Sequence, residues 1–164
     1  MNNELNNAID RVGATLETTG VLIVDHGSRR QESNDLLLEV ASMFEQATDF
    51  RLVAPAHMEL AEPSIEAGFS DLVSRGAQLV IAFPYFLSPG RHWKNDIPAL
   101  VAEAAKKHAG VDYLVTAPLG LHPLMAQIMS DRITRCLEEP DVGCDVCREP
   151  TGCRIARSPG TDAV

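Results

Sequence analysis

Two histidines stand where a fold can most easily build a site. His26 follows the apolar run VLIVD, and His92 follows QLVIAF and a Pro- and Gly-bearing loop, PYFLSPGRHW. Neutral imidazole is the commonest biological metal ligand and titrates near neutrality without perturbation. Two imidazoles facing one cleft can hold a divalent ion in a weak, exchangeable site, or take protons from a substrate. Read as pattern alone, they could equally be two unrelated loop residues. Glu59 is a carboxylate able to bind metal or relay protons beside such a pair, or a solvated loop acid. The other histidines point to structural duties. His57 could join the cleft or, as the structural reading has it, pack beside it, and His122, before Pro123, is expected to cap a helix or sit in a loop. His108 falls in a helix's last turn, where a cation suits the dipole.

Charge adds a second clue. The formal net charge is −9, which argues against nucleic acid as a partner, because phosphate binding needs a basic surface. Yet Arg29 and Arg30 follow His26, and Arg91 and Lys94 bracket His92. Cations gathered at one place on an acidic chain suggest a small anionic ligand; the alternative is ordinary solvated charge. No G-x-x-x-x-G-K-S/T, no G-x-G-x-x-G after the first strand and no G-x-S-x-G occurs, so the expected activity runs without ATP or a dinucleotide.

The elements that must position these residues alternate regularly. VLIVD is a strand and QESNDLLLEVASMFEQAT a helix. FRLVAPAHM is a strand, and PSIEAGFSDLVSRG a helix with Pro63 in its first turn and Gly76 just past its end. QLVIAF is a strand, DIPALVAEAAKKHAG a helix capped by Asp96, VDYLVTA a strand and HPLMAQIMSDRITRCL a helix. Strand and helix in alternation imply an α/β fold: a parallel sheet with helices on both faces. The flavodoxin-like order 2-1-3-4 is expected, a single three-layer domain. In it the first and third strands are neighbours and the chain leaves them toward opposite faces, which makes their C-terminal ends the ligand crevice. His26 and His92, 66 positions apart, then converge.

With 164 residues and 45% apolar content, the chain fits one globular domain. Residues 1–19 are expected to form a tail or loose first helix, 20–138 the working domain and 139–164 a Cys-rich tail. No apolar run approaches the ~20 residues of a membrane span, and the polar N-terminus carries no signal or transit character. A cytoplasmic location with no membrane partner is the expectation. Cys136, Cys144, Cys147 and Cys153 cluster at the end of the chain. In this setting they suggest zinc or an iron–sulfur centre before disulfides, and their spacing alone does not choose.

DHGSRR, AHMELAEPSI, SPGRHWKNDIP, TAPLG and the cysteine tail, taken together, resemble the short class II chelatases, the sirohydrochlorin chelatases of the CbiX and SirB type, over roughly residues 20–155. The plant-type ferrochelatases, with a similar cysteine segment, are the nearest in kind. The resemblance implies a domain equal to half of a two-domain class II chelatase, working as a homodimer. It implies insertion of Fe2+ into sirohydrochlorin, giving sirohaem, with Co2+ or Ni2+ as alternative metals on the same tetrapyrrole. It makes His26 and His92 the active-site, metal-binding pair, beside which residue chemistry sets Glu59 as a catalytic carboxylate. Ser28, Arg29, Arg30, Arg91 and Lys94 become substrate-binding, since arginine suits the carboxylates of the macrocycle. The four cysteines become ligands of a 2Fe–2S cluster. Phe86, Leu87 and Trp93 could line the macrocycle or serve as core or dimer contacts. A non-catalytic metal carrier or iron–sulfur sensor is the rival from another class.

Overall fold

The computed structural model describes residues 2–88 and 90–138. Four strands, β1 (Thr19–Asp25), β2 (Leu52–His57), β3 (Leu79–Pro84) and β4 (Asp112–Val115), form one sheet in the order β2-β1-β3-β4. All three pairings are parallel. The expected fold class and strand order are therefore observed. β1 is central and its apolar run is buried on both faces, as parallel strands between two helix layers require.

Helix α2 (Gln31–Ala47) follows β1, α3 (Ile65–Ser74) follows β2, and α4 (Ile97–Ala105) follows β3. The side chains of α3 and α4, including Phe69, Leu72, Ile97 and Val101, pack with Leu22, Val24, Val80 and Ala82 in one core cluster. Leu37 and Ala41 of α2 pack with Val21, Ile23 and Val53 in the other. Alternate residues of β1 thus feed opposite layers, because successive strand side chains point to opposite faces. Gly68 lets α3 approach closely: a Cβ there would lie 2.7 Å from Leu22 Cδ1.

Within the tail or loose first helix expected over residues 1–19, Asn2–Arg11 form helix α1, and Ile9 is buried in the α2-side cluster. The structure differs from the sequence expectations at two places. Pro63 is not in the first turn of α3 but precedes its N-cap, Ser64, whose hydroxyl accepts from Ala67 N–H. Asp96 makes no side-chain cap at α4, which instead grows out of a π-helical turn, His92–Asp96.

The first compact unit is Met1–Gly120, and a second begins at Leu121. The second carries α5 (Leu124–Glu138), with Cys136 exposed on it. At its start the His122 ring accepts from Leu124 N–H at 3.2 Å, the capping duty expected of it. His108, expected to be structural, bonds Ser70 Oγ at 2.9 Å and stacks on Phe69.

Candidate functional site at the β1–β3 switch point

β1 and β3 are neighbours, with Val24 opposite Pro84, and their chains leave toward α2 and α4 on opposite faces. The loops beyond both strand ends meet there. Tyr85 N–H donates to Val24 O at 2.7 Å, which carries the register one residue past β3. The rings of His26 and His92 lie edge to face, their centroids 5.2 Å apart. Both are partly exposed, at 40% and 48% of the side chain, so a ligand can reach them.

His26 sits on a tightly closed turn. Gly27 has φ +80, a backbone state that L side chains rarely adopt, and a Cβ there would collide with the Glu59 carbonyl oxygen. The turn is tied by Gly27 N–H donating to Asp25 Oδ1 (2.9 Å) and by a reciprocal pair between Ser28 and Asn34. In that pair Ser28 N–H donates to Asn34 Oδ1, and Asn34 Nδ2 donates to Ser28 O, each at 2.9 Å. Glu59 N–H donates to His26 O at 3.1 Å, which places the Glu59 carboxylate 3.0 Å from His26 Nε2.

His57 is fully buried, as its structural reading requires, and its Nδ1 lies 2.6 Å from Asp25 Oδ1. Its Nε2 is buried with no hydrogen-bond partner among the described residues. Asp25 thereby joins β1, β2 and the Gly27 turn beneath the exposed pair. Sequence reading missed this role for Asp25; the Asp25–His57 register pairing is what brings the two together.

His92 is held differently. Its Nδ1 lies 2.8 Å from Asp96 Oδ2, within the π-helical turn closed by Ile97 N–H donating to His92 O. π-Helical turns recur at functional sites. Trp93 Nε1–H donates to Thr116 O at 3.0 Å, tethering the turn to the end of β4. That indole edge is therefore committed to the scaffold. Phe86 packs against the core, while Leu87 is exposed.

The remaining expected site residues are less constrained. Ser28 lies in the His26 turn, where its hydroxyl accepts from Arg30 N–H at 3.1 Å. Arg29, Arg30, Arg91 and Lys94 are exposed. Among the described residues no three His, Cys, Asp or Glu side chains are drawn together as a metal cage. Cys144, Cys147 and Cys153 lie outside the described residues. No described helix is long and apolar enough to cross a membrane.

The sequence profile of the CbiX family matches residues 20–136. A relative named sirohydrochlorin ferrochelatase, chloroplastic, from Arabidopsis thaliana is 49% identical over 145 residues, covering 87% of this chain and 64% of the relative. A sirohydrochlorin cobaltochelatase from Priestia megaterium is 32% identical, covering 87% of this chain and 45% of its own length. The chain thus spans less than two thirds of either curated relative. Among solved structures, the sirohydrochlorin chelatase SirB from Bacillus subtilis subspecies spizizenii, in complex with cobalt, superposes with a TM-score of 0.67 at 26% identity. That match covers 71% of this chain and 50% of the other.

Proposed function

This chain belongs to the CbiX family, and from that membership we propose that it inserts Fe2+ into sirohydrochlorin without ATP, giving sirohaem and releasing two protons. The observation that carries the reading is the His26–His92 pair at the switch point, with Glu59 on His26. Insertion needs ligands that release the ion and bases that remove the two pyrrole protons. The two partly exposed imidazoles offer a loose, exchangeable pair for the ion, and Glu59, on His26, offers a base. The exposed Arg29, Arg30, Arg91 and Lys94 flank it, where the peripheral carboxylates of the macrocycle would need cations. Ser28 supports the same turn.

The likeness to a plant ferrochelatase favours iron, and the cobaltochelatase relatives favour cobalt as the second reading. Anaerobic insertion assays with Fe2+, Co2+ and Ni2+ decide between them. His26→Ala and His92→Ala are each expected to abolish insertion while the far-UV spectrum and melting temperature hold. Full activity in both variants removes the site assignment. Stoichiometric tetrapyrrole binding without turnover in the native protein would replace the enzyme with a carrier.

From the resemblance to the short chelatases we propose a homodimer, in which a second copy completes the cleft; sedimentation tests it. Cys136, an exposed thiol on α5, is proposed to join Cys144, Cys147 and Cys153 around a 2Fe–2S cluster of structural or regulatory use. Cys→Ser variants should lose the cluster's visible absorbance and keep most of the insertion rate. A cytoplasmic location is proposed with it, and cell fractionation checks that.

A further inference from the structure

Asp96 ends the π-helical turn that runs on into α4, where Ile97 N–H already donates to His92 O. Its carboxylate makes no cap bond to the helix and lies 2.8 Å from His92 Nδ1. The turn that joins the two is held from three sides. Ile97 is fully buried, Trp93 is tethered to Thr116 O, and Lys94 N–H donates to Gly90 O. The pair is therefore a built contact within a fixed backbone.

An ionised carboxylate can only accept hydrogen bonds. A neutral imidazole bonded to it must carry its proton on Nδ1, and its lone pair then lies on Nε2. We infer that Asp96 is a positioning residue that dictates the tautomer of His92, so that Nε2 is the nitrogen offered to the incoming metal. The two imidazoles are not equivalent in this respect. His26 meets the Gly27 carbonyl through Nδ1 at 3.2 Å, and its Nε2 faces Glu59. His92 instead meets its carboxylate through Nδ1. Partners of this kind orient a ligating histidine, and their loss typically costs ~10–100-fold in metal affinity or activity.

The inference rests on His92 being part of the insertion site, and its test separates the two. Asp96→Asn in the full chain is the decisive variant, because an amide can either accept from Nδ1–H or donate to a bare Nδ1. It keeps a hydrogen bond and the fold but no longer chooses the tautomer. Asp96 is 33% exposed, so the substitution is not a core lesion. Histidine-selective 15N NMR should show a single Nδ1–H tautomer for His92 in the native protein and a mixture in Asp96→Asn. Co2+ affinity, titrated directly, should fall roughly 10-fold. kcat should fall, with KM for the tetrapyrrole and the melting temperature unchanged. Where His92→Ala is inactive, an unchanged tautomer or unchanged Co2+ affinity in Asp96→Asn overturns the inference. A fully active His92→Ala overturns the functional reading instead.

Discussion

The loop after β1 and the loop after β3 bring their imidazoles to the same crevice by different means. The first is closed on its backbone groups: Gly27 at positive φ, its N–H on the Asp25 carboxylate, and Ser28 N–H and C=O on the Asn34 side chain. Its neighbour, the β2–α3 loop, packs so closely that no side chain fits at Gly27. The second is closed by helical geometry, with a π turn, a side-chain carboxylate and an indole tether. Where backbone abuts backbone, as Gly27 does the Glu59 carbonyl, there is no room for a Cβ. Gly90, in the second loop, has open space for one among the described residues. Glycine replacement should therefore be costly on the His26 side and tolerated on the His92 side.

Substitution of the two loop glycines breaks or sharpens that contrast. Gly27→Ala should have the largest effect, since the new Cβ must push Glu59 away from His26 as well as strain the backbone. A shift near 1 Å at a site costs ~10²-fold in rate, so insertion should fall by about that factor with a lowered melting temperature. Wild-type insertion by Gly27→Ala would show that the His26–Glu59 spacing is immaterial. Asn34→Ala comes next. Asn34 is nearly buried, and its loss strands the Ser28 N–H and C=O together. Unsatisfied buried groups cost ~1–3 kcal/mol, readable as a lower denaturation midpoint, with a several-fold smaller rate as the turn loosens. Gly90→Ala, in the His92 loop, should be the mildest. A Cβ there meets nothing within 4 Å, and a stability change within about ±0.5 kcal/mol is expected. A large loss in Gly90→Ala would erase the distinction between the loops.

Much of this arrangement is legible in the chain before folding. VLIVD and QLVIAF are too short and too branched for helices, and the helical spacings between strands leave few parallel topologies. Asp96 shows where such reading stops. An Asp before Ile97 and Pro98 looks like a helix cap whichever way its side chain turns, and only the π turn aims it at His92. Trp93 is similar: its type suits a macrocycle wall, a core or an interface, and the Thr116 carbonyl that claims its N–H comes from a distant strand. α1 reads as a tail or loose helix because one apolar residue, Ile9, does its packing.

Element order, sheet order and the meeting of His26 with His92 follow from sequence, because periodicity and the handedness of crossovers act on stretches of many residues at once. The Asp25–His57 contact, the Glu59 approach to His26 and the diversion of Asp96 belong to tertiary structure alone. Each depends on where a single side chain points after strands from distant parts of the chain have set their register, and no local pattern encodes that direction.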